Sequence, residues 1–278
     1  IIEAHIRGAR FNIHLTPEGL LSGGEGISNL TWMDARVGDF VVTPRHGCPV
    51  ENNALWYNAL KIYNRFADLL VDETACFEEL AEQVKTSFGR FFQNEKGYLN
   101  DVVVPGISAD DRIRPNQIYA LSLPFPLLEG AAGKRVLNIV REKLLTPLGL
   151  RSLDPAHPDF VPKYGGDQWH RDTAYHQGTV WSFLLGEYLL AHLRLHDFSP
   201  AAKAEALKML EPLRRHFYEE DCLHGISEIF DGEKPGVGRG CVQQAWSVGM
   251  VLMALSVMNQ NTVAPAKKKT ARQEAVFA

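Results

Sequence analysis

Apolar residues that recur every three or four positions dominate the chain and predict a succession of helices. The first stripe, over residues 51–70, consists of Leu55, Ala59, Ile62, Phe66 and Leu69. A second covers residues 73–94, and others lie at 136–144, 181–195, 207–217 and 242–257. Several of these segments are apolar on more than one face, which is typical of helices that pack between neighbours on both sides.

Breaks between the stripes predict turns, one strand and two long loops. Gly97 and Gly149 each end a helix, and the segment 98–104 resembles a short strand. Residues 154–166 and 230–240 are rich in glycine and proline and predict loops. Loops of this length are uncommon in compact domains unless they serve a function, so we expect functional residues beside them.

About eight helices, with long loops after alternate ones, predict an all-α (α/α) toroid of helical hairpins. In that arrangement the loops build a pocket at one end of the ring, and too few strands are indicated for an α/β fold. A ring of six hairpins has about twelve helices, so we expect about four more before Ile1. The predicted division is an N-terminally incomplete toroid domain at 1–262 and a disordered tail at 263–278.

The charge and cysteine content narrow the range of partners. A net charge of −4 attracts neither nucleic acid nor an anionic membrane, whereas a neutral sugar fits. The apolar run 248–258 is too short to span a bilayer. Four scattered cysteines without CxxC spacing predict reduced thiols in a cytoplasmic protein and no zinc site. Nucleotide-binding and hydrolase-elbow motifs are lacking, and no cofactor is predicted.

The loops instead carry aromatic residues beside acids and amides, a mixture that suits binding of sugars. Hydrolysis of a glycosidic bond usually requires one protonated and one ionised carboxyl group. Asp34 suits the acid, because the apolar bulk of Trp32 and Met33 would shield its carboxyl from water and favour the protonated form. The alternative is an aspartate that makes a turn or cap beside the glycine-rich segment 22–26.

Glu228 suits the base, since it lies between apolar residues just before the glycine-rich loop. The alternative is the polar side of a short strand. Asp172 resembles the N-cap of the helix that contains Trp181. The competing acids are Glu51, Asp110, Asp111, Asp167, Asp172 and Asp231.

Several other polar and aromatic residues have two possible roles. Asp39 could contact a sugar hydroxyl or make a turn, and Trp246 could face sugar or pack in the core. His170 and His176 could bind hydroxyl groups. As metal ligands the two histidines lack a third partner, so we predict no metal site.

Seven blocks of sequence together resemble the amylo-α-1,6-glucosidase domain of glycogen debranching enzymes. They occur in the order expected for that family and span about residues 30–250. The blocks are TWMDARVGD (31–39), TPR (43–45), PVENNALWYNAL (49–60), RPNQIYAL (114–121), RDTAYHQGTVW (171–181), SEIFDG (227–232) and GCVQQAWS (240–247).

The resemblance implies a glucoamylase-like (α/α)6 toroid that removes α-1,6-linked glucose stubs from glycogen or limit dextrin, with inversion at the anomeric carbon. It assigns the acid role to Asp34 and the base role to Glu228. The substrate contacts that it implies are Trp32, Gln117, His170, His176 and Trp246.

The chain departs from the family pattern at Ser182, where proline is expected, and at Asn52 and Asn53, where glutamate followed by a hydrophobic residue is commoner. Two alternatives to debranching are another toroid α-glucosidase, acting on α-1,4 or oligosaccharide-terminal glucose, and a non-catalytic carbohydrate-binding fragment. In each case the expected partner is glycogen or a related α-glucan.

Overall fold

The computed structural model describes residues 1–70 and 76–260, and within them helices form most of the regular structure. The predicted tail at 263–278 and the first residues of the predicted helix 73–94 lie outside this range. The helices are α1 (Ile2–Arg7), α2 (Val50–Leu70), α3 (Glu78–Phe92), α4 (Tyr119–Ser122), α5 (Gly130–Lys143), α6 (Gln168–Ala174), α7 (Phe183–Leu195), α8 (Pro200–Glu219) and α9 (Ala245–Gln260), with a 3-10 helix at Pro115–Ile118.

The long predicted helices are confirmed, with small differences at their ends. The helix expected over 51–70 is α2, which buries Trp56 and Leu60 and packs against α3 and α4. α3 begins at Glu78 and α5 ends at Lys143. The stripes of α3 and α5 face the shared core, as predicted. The stripe predicted for α2 is on the wrong face, because its members, among them Leu55 and Phe66, are exposed, and the helix is buried through Trp56, Leu60 and their neighbours instead.

Helix α7 lies at the centre of the molecule. Every residue from Phe183 to Leu193 is buried, and the helix packs against α4, α5, α8 and α9. One hydrophobic cluster joins α7 to α2–α5, and a second joins it to α8 and α9. The predicted all-round apolar character therefore has a direct cause, because neighbours cover α7 on every side.

Two details near α7 differ from the prediction. Trp181 lies in a strand before the helix, and α7 begins only at Phe183, after Ser182. Asp172 lies inside α6 and does not cap α7, so that prediction is wrong. The N-cap of α6 is Asp167, whose carboxylate accepts a hydrogen bond from the backbone N–H of His170.

The expectation of an all-α chain is wrong in one respect, because the loops pair into small antiparallel sheets. Each of the described strands has two or three residues, which is too short to leave an alternating pattern in the sequence. The strands are β1 (His14–Leu15), β2 (Leu21–Ser22), β3 (Arg36–Val37), β4 (Phe40–Val41), β5 (Cys48–Pro49), β6 (Val102–Val104), β7 (Ser108–Asp110), β8 (Leu145–Thr146), β9 (Gly149–Arg151), β10 (Val180–Trp181), β11 (Ile229–Phe230) and β12 (Gly238–Arg239).

The largest described sheet joins segments that are far apart in the chain, in the order β12-β11-β10-β9-β8. Its register pairs Trp181 with Ile229 and Val180 with Phe230. The segment 230–240, predicted as a loop, contributes β12 to this sheet. Glu228 directly precedes β11, so the sheet brings it beside the segment that leads into α7.

Candidate active site

Four segments meet where the small sheets cover the core. Residues 31–34 precede β3, and α6 packs against β3. Residues 175–179 connect α6 to β10, Glu228 precedes β11, and Gln244 precedes α9. The helices supply a rigid base, whereas the functional side chains come from the segments between regular elements, as is common in enzymes.

An aromatic cluster forms the floor of this region around Trp32. The Trp32 ring makes edge-to-face contacts with four other rings. Its centroid lies 5.3 Å from that of His176, 5.1 Å from Trp181, 5.2 Å from Phe183 and 6.3 Å from Trp246. Phe183 and Trp246 stack with their centroids 3.6 Å apart. The cluster thus joins α7 and α9 to the segment that carries Asp34.

The indole of Trp32 is held in place by a hydrogen bond to the buried side-chain amide of Asn116. Trp32 Nε1 donates a hydrogen bond of 2.7 Å to Asn116 Oδ1. Asn116 Nδ2 in turn donates to Asp101 Oδ1 at 2.7 Å. Because Asn116 and Asp101 are both buried, these bonds are protected from competition with water and hold the ring in one orientation.

The buried Arg114 side chain holds the segment that contains His176 and Gln177. Its Nη1 donates to the carbonyl oxygens of His176 at 2.8 Å and Ser152 at 3.0 Å, and its Nη2 donates to Gln177 Oε1 at 2.6 Å. Burial lowers the pKa of Arg114 to about 10, with partial compensation from Asp101. The guanidinium therefore serves as an internal clamp on residues 176 and 177.

Asp34 projects from this framework towards solvent. Met33 and Ala35 are buried while Asp34 and Arg36 are exposed, which is the alternation of an extended segment. The prediction that Trp32 and Met33 shield Asp34 from water is therefore wrong, since Met33 points to the opposite side of the backbone. The Asp34 carbonyl accepts a hydrogen bond of 2.7 Å from Asn29 Nδ2, which anchors the segment.

Glu228 is held by hydrogen-bond donors from the segment before α9. Its Oε2 accepts from the backbone N–H of Cys241 at 2.9 Å, and its Oε1 accepts from Gln244 Nε2 at 3.0 Å. Gly240 adopts a positive φ of 67°, and a Cβ atom there would collide with Glu228 Oε2. This close approach of backbone to carboxylate fixes the orientation of Glu228.

Tyr175 lies beside the aromatic cluster, and nearby carboxylates affect the pKa of its phenol. Burial raises the pKa of its phenol, and the interaction with Glu228 and then the charge of Asp34 raise it further. The phenol therefore lies within electrostatic reach of both acids. Its ring contacts Trp181 at 4.9 Å and His176 at 4.8 Å between centroids, so Tyr175 also packs against the aromatic cluster.

Comparison with known families matches this framework over nearly its whole length. The family model of amylo-alpha-1,6-glucosidase matches residues 1–253. The chain belongs to the amylo-alpha-1,6-glucosidase family. It is therefore a member of a glycoside hydrolase family, and the region around Asp34 and Glu228 lies inside the matched part.

Individual relatives agree with the assignment to this family. The chain is 25% identical over 302 residues to the glycogen debranching enzyme of Saccharomyces cerevisiae, an alignment that covers 88% of this chain and 20% of that enzyme. The chain thus spans about a fifth of the length of this curated relative.

Solved structures share the fold at low sequence identity. A GH63 mannosylglycerate hydrolase of Thermus thermophilus, in complex with Tris and D-glycerate, aligns with a TM-score of 0.54 and 18% identity over 76% of this chain and 46% of that one. Its complex with glucose aligns with a TM-score of 0.52 and 21% identity, over 76% of this chain and 48% of that one. This amylo-alpha-1,6-glucosidase family member therefore has the fold of a larger glycosidase over about half of that protein's length.

The remaining residues predicted to bind substrate differ in their exposure to solvent, and two of them are buried. Gln117 is buried, and its amide accepts from the N–H of Leu99 and donates to the carbonyl of Arg114. His176 is also buried, and burial holds its pKa well below its usual range. Neither ring nitrogen of His176 has a hydrogen-bond partner in the described part of the chain.

Three of the predicted contacts do reach the surface. Trp246 is partly exposed beside Phe183, and Asp39 lies exposed in the turn between β3 and β4. His170 is exposed on α6, where its Nδ1 lies 2.6 Å from Asp167 Oδ1. Trp32, His176 and Trp246 are thus brought together in the aromatic cluster, whereas Asp39 and His170 lie on the two surface elements near it.

Sequence reasoning missed three residues that this family member uses to organise the region, Tyr175, Asn116 and Gln244. Each lies next to a residue that was singled out or inside a block that carries the resemblance. Their roles depend on the group that each side chain contacts, and tertiary packing determines those contacts. All three lie inside blocks that carry the resemblance, Tyr175 in RDTAYHQGTVW, Asn116 in RPNQIYAL and Gln244 in GCVQQAWS, and this was the one signal that could have pointed to them.

Among residues 1–70 and 76–260, no group of three or more His, Cys, Asp or Glu side chains is arranged to hold a metal ion. In the same residues, none of the helices combines the length and apolar character that crossing a bilayer requires.

Proposed function

We propose that this protein removes α-1,6-linked glucose stubs from glycogen or limit dextrin, with inversion at the anomeric carbon. Asp34 is the general acid and Glu228 the general base. The observation that carries the proposal is the position of Trp181. Its ring contacts that of Trp32, two residues before Asp34, at 5.1 Å between centroids. Trp181 also pairs across the sheet with Ile229, the residue after Glu228. Two acids encoded far apart are thereby associated with one aromatic-lined region, as hydrolysis of a single glycosidic bond requires.

In the proposed reaction Asp34 donates a proton to the glycosidic oxygen, and the bond from that oxygen to the anomeric carbon breaks. Glu228 takes a proton from a water molecule that attacks the anomeric carbon from the opposite face. The hydrogen bonds from Cys241 and Gln244 keep the Glu228 carboxylate facing that water. The products are free glucose and the glucan without its stub. Asp34 then regains a proton from solvent, and Glu228 releases to solvent the proton that it took from water.

The supporting residues divide into those that contact sugar and those that position others. We assign sugar contacts to Trp32, Trp246, Asp39 and His170. Gln117 and His176 are buried, and we assign them to positioning of the pocket wall. The family's ring of helical hairpins, the (α/α)6 toroid, is the proposed architecture of the whole enzyme, and α-glucan in the cytoplasm is its proposed substrate.

Amide substitutions test the two catalytic roles. Asp34→Asn and Glu228→Gln should each lower glucose release from phosphorylase limit dextrin by about 10²–10⁴-fold, since each removes one proton transfer. Glu233→Gln is the matched control, because Glu233 is an exposed glutamate five residues beyond Glu228. Near-normal release by either catalytic variant would remove that residue from the mechanism.

The stereochemistry of the product tests inversion independently. Proton NMR of glucose recorded within the first minutes of reaction should show the β anomer, because water attacks the face opposite the departing oxygen. Accumulation of α-glucose before mutarotation would contradict the inverting scheme while leaving the family assignment intact.

A second candidate activity is hydrolysis of another glucosidic linkage. The fold neighbours are named mannosylglycerate hydrolases, so this framework accommodates substrates other than branched glucan. Comparison of limit dextrin with maltose separates the two activities, since a debranching enzyme should prefer the dextrin. Retention on a glucan affinity gel with no sugar release from either substrate would instead favour a non-catalytic binding fragment.

A further inference from the structure

Two exposed aromatic rings lie side by side outside the aromatic cluster. Phe40 is 50% exposed and Trp169 is 48% exposed. Their ring centroids are 5.2 Å apart and their planes differ by 35°. Phe40 belongs to β4, in the hairpin that β3 and β4 form, and Trp169 lies in the first turn of α6. We call this pair the aromatic platform.

The elements that carry the aromatic platform directly adjoin two segments of the candidate active site in the chain. β3 starts two residues after Asp34, and α6 leads directly into Tyr175. An extended segment advances about 3.3 Å per residue, so Val37 lies within roughly 10 Å of Asp34. Phe40 is the cross-strand partner of Val37, roughly 5 Å further away. The distance from Asp34 to the platform therefore corresponds to a few hexose units.

The surroundings of the aromatic platform favour a carbohydrate over other partners. Exposed charged or polar groups surround the two rings: Arg36 and Asp39 on the hairpin, and the paired Asp167 and His170 on α6. A hexose offers an apolar C–H face to an aromatic ring and hydroxyl groups to such a rim. Two rings form too small an apolar patch for a stable protein interface, and the mixed charges give no net attraction for a polyanion.

We propose that Phe40 and Trp169 form an outer subsite that binds a glucose unit of the main α-glucan chain, on the leaving-group side of the scissile bond. The side follows from the substrate: the stub is a single glucose unit, so every unit of the main glucan chain belongs to the leaving group. This assignment rests on the proposed function, because it takes a glucan with an α-1,6-linked glucose stub as the substrate.

Binding of a linear maltooligosaccharide, maltoheptaose, tests the outer subsite without turnover. Titration calorimetry on the full chain carrying Glu228→Gln should show about tenfold weaker binding for each of Phe40→Ala and Trp169→Ala. Trp169→Phe keeps a ring and should recover most of the affinity. Phe66→Ala is the matched control, since Phe66 is a 57% exposed aromatic residue on α2 that the proposal leaves without a ligand.

The possible outcomes separate the subsite from the hydrolase proposal. Unchanged maltoheptaose affinity in both platform variants overturns the subsite, as does an equal loss in Phe66→Ala or an absence of binding by the parent. If the platform variants lose affinity but the unsubstituted chain releases no glucose from limit dextrin, the subsite stands and the hydrolase proposal fails. If limit dextrin is hydrolysed with the same KM by the unsubstituted chain and both platform variants, hydrolysis stands and the subsite fails.

Discussion

Single side chains at the candidate active site show how position overrides residue type. Asp34 and Met33 are neighbours in the chain, yet one is exposed and the other buried, because an extended backbone sends them to opposite sides. Tyr175 is not among the predicted site residues, although its ring contacts His176 and Trp181 in the aromatic cluster. The chemistry of a single residue therefore depends on the direction in which its side chain points. The order of residue types along the chain does not contain that information.

Removal of the Tyr175 hydroxyl should weaken catalysis without unfolding the protein. Tyr175→Phe deletes a donor beside a carboxylate, and hydrogen bonds to charged groups contribute about 1.5–3 kcal/mol. We therefore expect kcat/KM for limit dextrin to fall by about ten- to a hundredfold. The control is Tyr188→Phe, because the buried Tyr188 hydroxyl has no hydrogen-bond partner among the described residues. Equal activity of the two variants would remove Tyr175 from the site.

Helix packing depends on one small residue in the central helix. Gly186 lies where α7 meets α9, and a Cβ atom there would lie 2.5 Å from the carbonyl oxygen of Met250. α9 in turn begins next to Gln244, which hydrogen-bonds Glu228. The close contact of α7 with α9 therefore sets the distance between the helical core and the donors that hold Glu228.

Substitution of Gly186 should destabilise the fold, in contrast to a second helical glycine. Gly186→Ala forces α7 away from α9, and overpacking of this kind costs about 1–3 kcal/mol. Gly249→Ala, in α9, meets open space within 4 Å and should instead stabilise the helix by about 0.5–1 kcal/mol. Urea denaturation curves of both variants measure the difference. A Gly186→Ala protein as stable as the parent would contradict the close packing.

A buried ionic network joins segments from three parts of the molecule. Arg45 hydrogen-bonds Asp101 through Nε at 2.7 Å and Glu51 through Nη2 at 2.7 Å. Asp101 also accepts from Asn116, which holds Trp32. The side chains of Arg45, Glu51 and Asp101 are each at most 3% exposed. The network thus ties the start of α2 and the approach to β6 to the floor of the candidate active site.

Loss of Arg45 should affect stability and the site together. Arg45→Met leaves Glu51 and Asp101 buried without their cation, and breaking such a pair costs about 3–5 kcal/mol. We expect the urea midpoint to fall sharply and the fluorescence of the tryptophan cluster to shift. Arg214→Met is the control, because the Arg214–Glu211 pair is exposed and water screens it, so little change is expected. A comparable loss in both variants would show that burial of the network is unimportant.

The positions of the long helices of this protein follow from its sequence, because apolar residues recur with the helical period that local geometry dictates. The all-round apolar run in α7 agrees with its complete burial, whereas the stripe predicted in α2 lies on the exposed side of that helix, because tertiary packing chose the other face. Resemblance of several blocks likewise pointed to the family that the comparisons establish. The helical period is a local property, and the family resemblance is the sum of several short blocks. Both can be found without knowing which distant residues are in contact.

Tertiary structure alone decided the small sheets, the direction of each polar side chain and the partners of the buried charges. Strands of two or three residues carry no readable period, and the pairing of Trp181 with Ile229 joins residues 48 positions apart. The ionic network around Arg45 and the hydrogen bond from Gln244 to Glu228 have the same origin. Such contacts form only when distant segments have been packed together, and their energies depend on exclusion of water from that packed interior.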